Sequence, residues 1–171
     1  MKTTLVALAA LMISAGAFAA TDDMNMNGVS LRLGMVFPLD NTLSSVNDNF
    51  SNLGLEFQSP SSFSKNTATF FAIDYYSKNI GTFGKGSCVP LTYNLRMYQH
   101  TGTTRQTYAY VGLGVAIMDF NTPSETVGIV RGGFGMNVSD HTFIEAGGTF
   151  TSTSNNNGAF NTIGFSVGYR F

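Results

Sequence analysis

Hydrophobic residues occupy every second position in eight separate stretches of this chain. In the last stretch, small or polar residues separate Ile163, Phe165, Val167 and Tyr169, up to the terminal Phe171. Successive side chains of a β-strand point to opposite faces, so a period of two predicts a strand with one apolar and one polar face. The eight stretches are centred near residues 33, 55, 72, 93, 112, 132, 147 and 165. This spacing leaves room for a strand of about 10 residues and a connection each time.

Charged residues within these stretches fall on the polar faces. The seven are Arg32, Glu56, Asp74, Arg96, Arg131, Glu145 and Arg170. Alternation is compatible with two architectures. A soluble sandwich or barrel would bury the apolar faces in its core, whereas a membrane barrel turns them toward lipid and keeps the polar faces inside.

Three features favour the lipid-facing architecture. The apolar faces run almost without polar interruption, as a hydrocarbon solvent requires. The polar faces are rich in glycine and carry four arginines against three acids, a balance that suits a narrow lumen because an unpaired buried charge is costly. An even number of strands also lets the sheet close without free edges. We therefore predict an all-β fold, an eight-stranded antiparallel up-and-down transmembrane β-barrel formed by residues 28–171.

The first residues have the features of a secretory signal. Lys2 precedes an apolar stretch that begins at Leu5, and Ala17 and Ala19 are the small residues of a signal peptidase site. We expect a signal peptide over residues 1–19 and a flexible mature N-terminus over residues 20–27.

Composition excludes several classes of function. The chain has 9 Lys and Arg against 10 Asp and Glu, so loss of Lys2 with the signal leaves a net charge of −2. Without a basic run, we expect no nucleic-acid partner. Cys88 is the single cysteine, which excludes an internal disulfide and, beside two separate histidines, a metal cage. We expect neither a metal nor a cofactor.

The end of the chain carries a family resemblance. A signal peptide, eight alternating strands and the terminal residues Gly168 to Phe171 resemble the small outer-membrane β-barrel family, the OmpA/OmpX/Opa-like barrels. The resemblance implies that Tyr169 and Phe171 form an assembly signal read by the barrel-assembly machinery. It also implies a Gram-negative outer-membrane location, with outer-membrane lipids and lipopolysaccharide as partners.

Aromatic residues near the strand ends suggest interfacial girdles, which in this chain would consist of Tyr and Phe because it has no Trp. We expect one girdle to contain Tyr98, Phe143, Tyr169 and Phe171, and the other Phe37, Phe120, Phe150 and Phe160.

The charged residues on the polar faces are the strongest candidate site. They could form a proton or ion path, or a structural plug in which Arg–carboxylate pairs join the strands from inside. We favour the plug, because eight strands enclose a space only wide enough for side chains. Replacement of Arg131 with Ala should then destabilise the barrel. We expect no catalytic residues, since His100 and His141 both lie in turns, and Ser139 and His141 are too close in sequence to form a triad.

These observations predict a non-catalytic outer-membrane protein with one or both of two roles, structural support of the envelope and adhesion-like surface interaction. An extracellular partner would bind through the loops, and we expect a monomer. Two alternatives stay open, a small pore or conduit for a hydrophobic ligand, and a soluble periplasmic binder of the lipocalin type.

Overall fold

The computed structural model describes residues 28–39, 48–60, 66–78, 86–99, 106–120, 124–153 and 158–171. The expected signal peptide (1–19) and mature N-terminus (20–27) lie outside the described residues. None of the described residues belongs to a helix long and apolar enough to cross a membrane.

The described residues form eight strands in one closed antiparallel sheet. The strands are β1 (Gly28–Pro38), β2 (Phe50–Pro60), β3 (Thr67–Ser77), β4 (Ser87–Gln99), β5 (Thr107–Asp119), β6 (Glu125–Asn137), β7 (Thr142–Thr151) and β8 (Thr162–Arg170). Each strand pairs with its neighbours in sequence, and β1 pairs with β8 to close the barrel. The predicted eight-stranded antiparallel up-and-down barrel is therefore confirmed.

The pairing register keeps the two faces separate around the whole barrel. Leu31 of β1 lies opposite Leu55 on β2 and Tyr169 on β8, so outward apolar residues are neighbours. The outward side chains in mid-strand are well exposed, reaching 70% for Leu113 and 75% for Phe134. We call the end of the barrel that holds Gly28 and Arg170 the terminal end, and the opposite end the loop end.

Strands β5 and β6 are longer than the alternating stretches that predicted them. They include Asp119 as the last residue of β5 and Glu125 as the first residue of β6. Both acids lie at the loop end, so these two strands end in polar residues there. The seven charged residues predicted within the strands are all buried.

The expected aromatic girdles are only partly correct. Phe37, Phe150, Tyr169 and Phe171 are exposed as expected. By contrast, Tyr98, Phe143 and Phe160 are buried inside the barrel, and Phe120 packs against buried interior residues. Tyr98 is two residues beyond Arg96, and Phe143 is two residues before Glu145, so strict alternation places both rings inside.

Candidate functional site in the barrel lumen

Arg32 is the centre of an ion-pair network in the lumen. Its Nε lies 3.1 Å from Glu56 Oε1, its Nη2 donates to Asp74 Oδ1 at 2.6 Å, and its Nη1 donates to Glu145 Oε2 at 2.9 Å. These four side chains come from β1, β2, β3 and β7 and are almost completely buried. One guanidinium thus contacts a carboxylate on three other strands.

Two further arginines complete the network. Arg96 Nη2 donates to Glu56 Oε2 at 3.0 Å and to Glu145 Oε1 at 2.7 Å. Arg131 Nη1 donates to Asp74 Oδ2 at 2.7 Å. Three arginines therefore balance three carboxylates, and the network has no net charge. Such a balance limits the cost of taking charges out of water.

Glycines on the interior face make room for these large side chains. Gly54 lies opposite Arg32 on β1 and Asp74 on β3. A Cβ on Gly54 would collide with Asp74 Oδ1 and approach Arg32 Nε to 3.2 Å. The absence of a side chain at this position allows Arg32 to reach Asp74.

Arg96 also lies among aromatic rings on the terminal side of the network. Its guanidinium carbon lies 4.3 Å from the ring centroid of Phe70, 4.5 Å from Tyr108 and 5.6 Å from Phe143. The Tyr108 hydroxyl donates to Glu145 Oε1 at 2.9 Å. Arg96 therefore combines ion pairing with cation–π contacts. These contacts fill the terminal half of the lumen with side chains.

An apolar layer fills the lumen at the loop end. Phe160 is fully buried there, and its ring stacks on Tyr76 at 5.3 Å and on Phe120 at 5.6 Å. The buried members of this cluster are Val36, Phe50, Tyr76, Cys88, Ala116, Met118, Val127, Ile129 and Phe160. This layer was not among the predictions from the sequence. The alternation pattern does indicate this layer, because apolar residues such as Met118 occupy interior positions near the loop ends of the strands.

A cavity of about 30 Å³ remains beside the charged network. Arg32, Arg131 and Thr162 are among the residues that line it. This volume holds one or two water molecules. The buried Thr162 Oγ1 has no hydrogen-bond partner among the described residues, so a water molecule would satisfy it.

Arg170 is the one predicted lumen residue that stays apart from the network. Its side chain is 8% exposed and forms no ion pair with a carboxylate of the described residues. Its guanidinium carbon lies 5.5 Å from the Phe143 ring centroid. The structure therefore brings together six of the seven charged residues.

The residues of the expected assembly signal lie on the outward face. Tyr169 and Phe171 are exposed, with their ring centroids 5.2 Å apart in an edge-on contact. His141 stacks on Tyr169 at 5.6 Å, and its Nδ1 lies 3.0 Å from the carbonyl oxygen of Arg170. His141 is thus a surface residue at the terminal end, and His100 lies outside the described residues.

The described residues contain no cluster of three or more His, Cys, Asp or Glu that could hold a metal ion. Each of the three lumen carboxylates contacts at least two arginines. This arrangement can join strands, but it leaves no carboxylate free to act as a base.

Comparison with known proteins gives matches in structure but not in sequence. No family model and no curated protein sequence matches the chain. The N-terminal β-barrel domain of Pseudomonas aeruginosa OprF is similar, with a TM-score of 0.53 and 13% identity over 85% of this chain and 98% of that one. The outer membrane enzyme PagL is similar, with a TM-score of 0.52 and 14% identity over 84% of this chain and 97% of that one. The chain therefore has the fold of the small eight-stranded outer-membrane β-barrels.

Proposed function

We propose that this protein is a non-catalytic integral protein of the Gram-negative outer membrane, which supports the envelope and presents loops for surface interaction. The observation that carries the proposal is that apolar and charged side chains lie on the opposite faces from those they occupy in a soluble protein. Exposed apolar side chains surround the barrel, while buried charges fill it.

The outward face suits a hydrocarbon solvent. Leu113, Val130 and Phe134 are each more than half exposed in the middle of β5 and β6. Soluble monomers rarely expose continuous apolar surfaces of this kind. Polar outward residues lie at the strand ends, as Asp119 does. These features favour a barrel surrounded by lipid over a soluble lipocalin-like binder.

The packed lumen favours a structural role over a pore. Aromatic rings occupy its terminal half, ion pairs its middle and an apolar layer its loop end. The described cavity of about 30 Å³ is too small to be an aqueous channel. The charged network would act as a plug that joins the strands from inside.

The site chemistry favours a non-catalytic protein. Catalysis by a nucleophile requires an adjacent base, but the lumen carboxylates are held by arginines. His141 is exposed and stacks on Tyr169. Although the similar PagL is an outer membrane enzyme, this likeness concerns the fold alone.

The proposed partners follow from the faces of the barrel. Outer-membrane lipids and lipopolysaccharide would surround the apolar wall, and the protein would be a monomer. The barrel-assembly machinery would read the exposed Tyr169 and Phe171. An extracellular partner would bind the loop-end connections, whose central residues lie outside the described residues.

Fractionation and gel mobility test the proposed location. We expect the protein in the outer-membrane fraction, extractable only with detergent. Unboiled in SDS it should run as a compact band, which shifts on boiling because a closed barrel resists SDS. Recovery in the soluble periplasmic fraction, with one band under both conditions, would contradict the membrane assignment.

Planar bilayers test the closed lumen. We expect no stepwise conductance above that of protein-free membranes, because side chains fill all three layers of the interior. Simultaneous replacement of Phe50, Phe120 and Phe160 with Ala should also give no conductance, because the ion-pair network and the aromatic layer of the terminal half remain as barriers. Regular conductance steps from the unmodified protein would favour the pore instead.

A further inference from the structure

Arg170 is a buried cation that forms no ion pair with the described residues. The six other lumen charges form a neutral network of three arginines and three carboxylates. Arg170 is therefore the one lumen arginine that has no carboxylate of the described residues within ion-pair distance. An unpaired buried ion is strongly unfavourable, so a bound anion at this position would stabilise the folded barrel.

The unpaired atoms of Arg170 have the geometry that oxyanions require. Nε and Nη2 are both buried and have no hydrogen-bond partner among the described residues. These two nitrogens form the side-on edge of the guanidinium, whose parallel N–H groups can donate to both oxygens of a carboxylate or to two oxygens of a phosphate. No described residue accepts a hydrogen bond from either nitrogen of this edge.

Gln58 provides another unpaired donor at the same end. Its Oε1 accepts from Arg96 Nη1 at 2.5 Å and from the Tyr98 hydroxyl at 3.2 Å, which fixes the orientation of the amide. Its Nε2 is buried without a partner among the described residues. Gln58 lies directly opposite Gly28 on β1.

Gly28 lies on β1, the strand between Arg170 on β8 and Gln58 on β2. A Cβ at Gly28 would lie 3.5 Å from Cγ and 3.8 Å from Cδ of Arg170. The stem of Arg170 therefore passes beside Gly28, on the strand that separates β8 from β2.

We infer that Arg170 forms a binding site for a single oxyanion, a carboxylate or phosphate that enters from the terminal end, with Gln58 of β2 as a second donor at that end. Arg170 would provide the charge and the bidentate contact, and Gln58 an additional N–H donor. Two sources have this chemistry, the phosphate of a phospholipid headgroup in the adjacent leaflet and a free oxyanion in the periplasm.

Arginine side-chain NMR tests this site in the folded mature protein. In a non-ionic detergent and phosphate-free buffer, addition of inorganic phosphate should shift the Nε–Hε signal of Arg170 saturably and slow its exchange with water. The Nε–Hε signals of Arg32 and Arg131 provide controls within the same spectrum and should stay unchanged. R170K keeps the charge but loses the fork, so phosphate should bind it at least tenfold more weakly, as measured by the shifts of the Gln58 amide.

Nanodiscs distinguish the two sources. If a headgroup is the ligand, the Arg170 signal should already be shifted in phosphatidylglycerol nanodiscs without added phosphate. If the ligand is a free oxyanion, the shift should appear only when phosphate is added. Either pattern supports the site.

Two results would overturn the proposal. One is a response to phosphate that increases linearly without saturation, or that is equal for all the lumen arginines. The other is a change in the Arg170 signal on substitution of both Asp22 and Asp23 with Asn in phosphate-free detergent, since the chain's own acids would then hold the guanidinium.

Discussion

Replacement of Arg32 with Met should lower the free energy of unfolding by about 3–5 kcal/mol, the usual cost of removing one partner from a buried ion pair. Met nearly preserves the volume but removes a guanidinium that contacts Glu56, Asp74 and Glu145. Those carboxylates would remain buried with fewer cations. Urea titration of the barrel folded into lipid vesicles, followed by gel mobility and circular dichroism, measures the change.

Matched substitutions at the other arginines separate pairing from volume. R131M should cost less than R32M, because Asp74 keeps its 2.6 Å contact with Arg32. R170M should cost least in phosphate-free detergent, since Arg170 has no ion pair with the described residues. Equal losses at all three positions would show that packing, and not charge pairing, stabilises the lumen.

Replacement of Leu113 with Arg should destabilise the folded barrel by about 2–4 kcal/mol, the cost of a basic side chain at the middle of a bilayer. Leu113 is the central residue of β5 and is 70% exposed. In a membrane, its side chain therefore contacts hydrocarbon at mid-depth. Reversible folding into vesicles, compared with the unmodified protein, measures this cost.

The same substitution nearer the loop end provides the control. Ile117 lies on the same face of β5 and is also exposed. I117R should cost only about 0–1 kcal/mol, because an arginine near the interface can reach water and headgroups. A soluble barrel would tolerate both substitutions equally. Equal, small effects would therefore contradict the lipid-facing assignment.

Strand order and the direction of side chains could be predicted because they depend on local sequence. A period of two fixes which residues share a face, as for Leu31 and Leu33 against Arg32. The connections are short enough that consecutive strands pair antiparallel, which leads to the up-and-down order. The aromatic girdle was predicted wrongly at Tyr98 and Phe143, because the alternation of inward and outward side chains was not extended to the strand ends.

The partners within the lumen could not be predicted in the same way. Arg32 and Glu145 are 113 positions apart in the sequence and meet at 2.9 Å. Their contact depends on closure of β1 against β8 and on the register of each strand pair. Alternation places both residues inside the barrel, but it does not give their heights along the axis.

The sequence by itself determined that eight two-faced strands form, with charged residues on one face and apolar residues on the other, because side-chain direction follows from the backbone of each strand. Only the tertiary structure decided that Arg32, Arg96 and Arg131 share three carboxylates while Arg170 stays outside that network. The physical reason is that ion pairing depends on distances of a few ångströms across the lumen. Those distances are set by the register of the closed barrel and by the glycines that leave space within it.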